Sequence, residues 1–279
     1  MWMGIAYFVG SVVLIAVIWG FGIEKPENLL SPYNLLTVLR GFVWVLGMTA
    51  YNIAIDKIGL TCFNQWKNIQ GPVGSILIML CFAPVISGIK LVYLVLGIVV
   101  MFVSAWFFLV PQNIEYNANT NINTKKNMAL GVSLAILSGV CFGVTAFLNS
   151  WVSRPALVGG DTFTFSQLLY HSASLMIFSG IAYLILGKKL GGSVKIDNKT
   201  WLPMIAGAMY MVATLLSIYS YRLISNNVIP WSITQLNVLW TVIIGVFIYK
   251  EVSFKQHWLR LIAGTVLAVG ACVLLFLAI

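Results

Sequence analysis

An all-α membrane protein with an inverted internal repeat is the fold class this sequence predicts, and three observations predict it. Apolar runs long enough to cross a bilayer follow one another along nearly all 279 residues. The order of spans and turns in the first half returns in the second. With 60% apolar residues, 8% charged residues and a mean hydropathy of +0.96, the chain lacks the interspersed charge that a soluble surface needs.

A membrane helix needs roughly 20 apolar residues. By that measure about nine spans are expected, at 2–21, 33–54, 60–82, 91–110, 128–148, 162–187, 201–223, 228–249 and 258–277. The runs are continuous and do not alternate, which favours helices over barrel strands. The first run lacks a basic flank and a small-residue cleavage site, so it is expected to be retained as a span. Two hydrophilic stretches, 112–127 and 188–200, separate groups of spans and are too short to fold alone. Asn198-Lys199-Thr200 has the form of a glycosylation sequon, but the charge pattern places it on the cytoplasmic side.

The repeat sets the domain plan. From Pro32 a span leads to an Asp56-Lys57-Ile58-Gly59 turn, a polar-bearing span, a turn and a third span. From Trp201 the same order returns through Arg222-Leu223-Ile224-Ser225, a span with Ser232-Ile233-Thr234-Gln235, the Lys250-Glu251 turn and a last span. Matching turns gives an offset of roughly 166 residues. The halves are 1–127, with about four helices, and 128–279, with about five, forming one membrane domain. One opening helix is therefore missing relative to a five-plus-five plan. An odd repeat of five enters the membrane in opposite senses, the inverted arrangement used for alternating access. It places the spans at 60–82 and 228–249 face to face across a central cavity.

Charge assigns sides. One set of connections collects Lys57, Lys125, Lys126, Lys188, Lys189, Lys195, Lys199, Lys250, Lys255 and Arg260; the other has Lys25, Arg40, Lys90, Arg154 and Arg222. The richer side is expected to be cytoplasmic, with the N-terminus inside and the C-terminus outside. The net charge of +9 is accounted for by these loops and implies no nucleic-acid partner. Cys62, Cys81, Cys141 and Cys272 lie in apolar stretches without CxxC spacing, so packing is expected of them and not disulfide, zinc or redox chemistry. No Ser/His/Asp or Cys/His constellation, phosphate loop, HExxH or paired intramembrane Asp is present, so neither enzyme activity nor a cofactor or metal is implied.

Short motifs carry a resemblance. Gly159-Gly160-Asp161 followed by Gln167, Tyr219-Ser220, Ser232-Ile233-Thr234-Gln235-Leu236 and Tyr249-Lys250-Glu251 resemble the glucose/ribose porter family, bacterial sugar-uptake proteins of the drug/metabolite transporter superfamily. Trp44, Gly47, Ile58-Gly59 and Val73-Gly74 resemble it in the first half. The resemblance implies a ten-helix plan lacking its first helix here. It also implies a multi-pass protein of the cell membrane that imports a monosaccharide of the glucose or ribose class, with the proton as a coupling ion and lipid as its surroundings.

Polar residues held at mid-span face a cavity or another helix, because unpaired polar groups in lipid are costly. Asn64, Gln65, Lys67, Asn68 and Gln70 form the densest such cluster, and Asn64, Lys67 and Asn68 share a helix face. Thr234 and Gln235 are their counterparts in the symmetric span. The substrate-binding set expected is Gln235, Gln167, Asn68, Lys67, Asn64, Trp44 and Thr234, whose amides and hydroxyls suit sugar hydroxyls; gluing helices together is the bland alternative. Trp66, Tyr170, Tyr210, Trp231 and Trp240 are further candidates to stack on a sugar, against interfacial or core packing.

Lys67 departs from the resembling porters, which have a small hydroxyl residue near this position. Its ammonium needs a carboxylate, an anionic substrate group or amide carbonyls, unless it reaches to the nearer interface. Asp161 is expected to cap a helix start, with coupling as its second role, and His171 is the other coupling candidate. Two other functions fit the same pattern: export of drugs or metabolites, as elsewhere in the superfamily, and a membrane receptor or assembly subunit without transport.

Overall fold

An apolar chain in lipid must satisfy its backbone within each span, which leaves the helix as the only local solution. The computed structural model describes residues 1–23, 27–82, 88–108, 125–153, 164–187, 200–223, 240, 242–250 and 252–278, and every regular element among them is helical. The elements are α1 (Trp2–Gly20), α2 (Asn34–Lys67), α3 (Gln70–Phe82), α4 (Gly88–Phe107), α5 (Lys125–Val152), α6 (Phe165–Ala182), α7 (Trp201–Leu223) and α8 (Phe254–Leu277). A π-helical turn, Tyr183–Gly187, prolongs α6, and another covers Ile244–Ile248.

Seven spans are long and apolar enough to cross a membrane: Trp2–Gly20, Asn34–Leu60, Gly88–Phe107, Met128–Val152, Phe165–Gly187, Trp201–Ser220 and Phe254–Leu277. They match seven of the nine expected. The expected span at 228–249 falls largely outside the described residues, and so does its pairing with 60–82. The stretch 60–82 is helical but broken, and it is not among those seven spans. Asp56, Lys57 and Ile58 of the expected turn are helical, and the turn itself is a kink at Gly59, φ 73° and ψ 165°, where two helices within Asn34–Lys67 meet. That conformation is open to glycine alone.

A second break lies at Asn68-Ile69 between α2 and α3, and Pro72 explains it. Pro72 has no N–H for the Asn68 carbonyl four residues back, and its ring would press on that carbonyl. The chain instead tightens through three-residue bonds. The N–H of Asn68 is shared between the Asn64 carbonyl at 3.2 Å and the Gln65 carbonyl at 3.3 Å, that of Ile69 reaches Trp66 at 3.4 Å, and that of Gly71 reaches Asn68 at 3.0 Å.

Two compact units make up the chain: Met1–Val45 with Leu148–Asn227, and Leu46–Phe147 with Val228–Ile279. These packing units interleave in sequence and are a different division from the 1–127 and 128–279 repeats.

In the first unit α1 packs on α6 and α7. It buries Gly4, Tyr7, Ser11 and Ile15, one stripe at spacings of three and four, and exposes Val9, Val13 and Val17 on the other side. Small residues bring the backbones close, with Gly207 of α7 against the Met3 carbonyl. Gly22, at φ 66°, ends α1; its N–H bonds the Trp19 carbonyl at 3.1 Å while that of Ile23 bonds Ile18 at 3.0 Å, a Schellman closure.

In the second unit α4 lies along α8. Leu94, Gly97, Met101 and Ser104 meet Gly264, Ala268, Ala271 and Leu275, and the Ser104 hydroxyl donates to the Gly264 carbonyl at 2.7 Å. Cys62, Cys141 and Cys272 are buried as expected of packing residues, but Cys81 is exposed on α3.

Candidate functional site

In the first unit the polar side chains are arranged around α6. Gln167 sits on its first turn, 1% exposed, and bridges two neighbours: its amide nitrogen donates to Ser153 Oγ at 3.2 Å and its oxygen accepts from Arg40 Nη1 at 3.5 Å. Arg40 corrects the reading of charge by sides, which put it in a connection. It lies on α2 inside an apolar span and is 5% exposed. One turn beyond Gln167, His171 is fully buried, and neither ring nitrogen has a hydrogen-bond partner. Tyr7 of α1 packs edge-on to it at 5.8 Å between centroids and to Tyr210 of α7 at 5.3 Å; Trp44 lies 5.1 Å from Tyr210. The Arg40 charge acts on His171, Tyr7 and Tyr210 alike.

The start of α6 is held by Glu27, which is not among the candidate residues named from sequence. Its carboxylate accepts from the N–H groups of Thr164 at 2.8 Å, Phe165 at 3.0 Å and Ser166 at 2.8 Å, and from the Ser166 hydroxyl at 2.8 Å. A negative group on these free amides complements the positive helix end, the role expected of Asp161. That residue lies outside the described residues. Tyr170 likewise turns out to be a tether, its hydroxyl donating to the Leu29 carbonyl at 2.7 Å.

In the second unit the expected residues gather at the α2–α3 break. Asn64, Lys67 and Asn68 are 4%, 8% and 1% exposed. Asn64 spends its amide hydrogens locally, donating to the Leu60 carbonyl one turn back at 3.1 Å. Asn68 does not: both its amide nitrogen and its amide oxygen are buried without a partner. Lys67 is the last residue of α2, and its ammonium lies 5.9 Å from the centroid of the Phe142 ring on α5. α5 can come this close because Gly139 lies against the Lys67 carbonyl and Ile69, where any side chain would collide. On the other side of the break Gln65 and Trp66, whose Nε2 and Nε1 are buried and unpaired, line a small crevice with Met101 and Phe102 of α4.

Gln235, Thr234 and Trp231 fall outside the described residues, and Trp240 is 69% exposed. The structure thus brings Gln167, Trp44 and His171 together in the first unit and Asn64, Lys67 and Asn68 together in the second. Sequence reasoning missed Tyr7, Arg40 and Glu27. A signal existed for Arg40, an arginine seven positions into an apolar run.

These features define a multi-pass membrane protein with buried polar positions inside its helices. Residues 160–278 match the family model described as Sugar transport protein. The match supports the glucose/ribose porter-like family that the motifs resemble, and the superfamily placement is consistent with it. It takes in Asp161, Gln167, His171, Thr234 and Gln235 and leaves out Trp44, Asn64, Lys67 and Asn68. No curated protein matches the chain.

Proposed function

We propose that this protein is a secondary carrier that takes a monosaccharide of the size of glucose or ribose into the cell by alternating access of two inverted halves. The match of residues 160–278 to sugar transport proteins carries this reading. The geometry supports it: an interrupted apolar span, with Asn68 at the interruption holding both amide atoms unpaired, is the kind of element that polar substrates use at mid-membrane. Gln235, Gln167, Asn68, Lys67, Asn64, Trp44 and Thr234 are the substrate-binding set in this proposal. Gln167 acts from a preformed network with Arg40 and Ser153.

Coupling to protons belongs to the same proposal, through Asp161 and His171. His171 faces Tyr7, Tyr210 and Arg40, the titratable and charged groups that surround it among the described residues.

Counterflow of labelled sugar in proteoliposomes tests the reading. Exchange of a neutral or acidic hexose or pentose above protein-free liposomes is expected. Exchange of lipophilic cations in its place would establish an exporter, and no exchange of any solute with sound protein would establish a receptor or assembly subunit. A transmembrane pH gradient, acid outside, is expected to drive uphill uptake in wild type and not in His171→Gln.

A further inference from the structure

The polar atoms at the α2–α3 break are unequal in kind, and the inequality names a ligand. A neutral sugar hydroxyl both donates and accepts, so a site for hydroxyls alone is served by amides and hydroxyls. At this break the dominant group is an ammonium. Lys67 Nζ is a pure donor of three hydrogen bonds; no hydrogen bond or carboxylate holds it among the described residues, and only the face of Phe142 lies beneath it. Asn68, next in sequence and 1% exposed, has two amide hydrogens and an oxygen all unused. Ser138 of α5 is fully buried with its hydroxyl unused, one residue before the Gly139 that abuts the Lys67 carbonyl and one turn before Phe142.

A buried cation with no counter-ion is costly. The negative end of α2 offsets part of that cost, since Lys67 is its last residue. Phe142 offsets another part. Neither supplies an acceptor for the ammonium hydrogens. One positive charge flanked by neutral donors fits one negative charge with two acceptor oxygens, which is a carboxylate. A phosphate dianion would leave a charge over.

Resting on the proposal that this is a sugar carrier, we propose that its substrate is an acidic monosaccharide of the uronate class, with the carboxylate held by Lys67, Asn68 and Ser138 at the interrupted span. The sugar's hydroxyls then fall to the amides assigned to substrate above. Lys67 thereby sets specificity between acidic and neutral sugars.

The test is counterflow of labelled glucuronate, glucose and glucose 6-phosphate in phosphatidylcholine liposomes, with the intact chain and with Lys67→Met, Lys67→Arg and Asn68→Asp. Wild type is expected to prefer glucuronate. Lys67→Met should cut glucuronate exchange roughly ten- to hundredfold more than it cuts glucose exchange; Lys67→Arg should retain much of the preference. Asn68→Asp, which places a carboxylate beside the ammonium, should lower it as Lys67→Met does, and so provides a second reading if Lys67→Met does not fold. Glucose exchange without glucuronate exchange would overturn this proposal and leave the sugar-carrier reading standing. Absence of exchange for all three sugars would overturn both. Stronger exchange of glucose 6-phosphate than of glucuronate would replace the carboxylate by a phosphate. Loss of the preference on adding phosphatidylglycerol would reassign the site to a lipid headgroup.

Discussion

Gln167 and Asn68 are both carboxamides, both 1% exposed and both in apolar stretches, yet they live differently. Gln167 is tied at both ends, to Ser153 and Arg40, on a helix whose start is clamped by Glu27. Asn68 is tied at neither end and sits where Pro72 has parted the helix. A buried polar group that is satisfied within the protein rigidifies it, whereas one left unsatisfied costs free energy until something else bonds it. Gln167 is thus part of a prebuilt network, and Asn68 is the amide that the proposed function leaves to a substrate.

The largest way to break this contrast is to remove the clamp. Glu27→Ala deletes the acceptor of four donors, in five hydrogen bonds to one carboxylate, at the start of α6. A loss of about 3 kcal/mol of stability is expected, seen as a clear fall in thermal unfolding temperature in detergent. An unchanged temperature would mean that the clamp is ornamental and that Gln167 is not on a rigid support.

The amides themselves come next. Asn68→Ala should weaken substrate binding about five- to thirtyfold, equivalent to about 1 to 2 kcal/mol, with little change in thermal stability, because no protein partner loses a bond. Gln167→Ala should show the mixed result. It should lose about 1 kcal/mol of stability by orphaning Ser153 and weakening the hold on Arg40, together with a loss of uptake. Equal loss of stability in both variants would erase the distinction drawn here.

Ser104→Ala calibrates the scale within the second unit. It removes one satisfied interhelical bond, to the Gly264 carbonyl, at a residue outside the proposed substrate-binding set. About 0.6 kcal/mol is expected, the usual worth of such a bond between membrane helices, with transport intact. A cost several times larger would make the α4–α8 seam, and not the break, the critical polar feature of this unit.

The parts of the fold that were legible in the sequence are those set by one segment at a time. Span length follows from bilayer thickness and apolar content, so seven spans could be placed before any neighbour was known. The Gly59 departure was visible because glycine marks where a backbone must leave the allowed regions. Pro72 was visible too, but the apolar run around it hid its consequence, since hydropathy counts side chains and is blind to the missing N–H.

Partnership was not legible. Glu27 finds α6 across 137 to 139 residues of sequence and Arg40 finds Gln167 across 127, distances over which no periodicity speaks. For the same reason Asn64 and Asn68, neighbours on one helix face, could not be told apart in sequence, although one donates to its own helix and the other to nothing. The sequence by itself determined which segments must be helices in lipid, because that depends on each segment's own apolar atoms. Which buried polar atoms are satisfied and which are left without a partner was decided only by the tertiary structure, because a hydrogen bond needs a second atom within about 3 Å, brought there by a different helix.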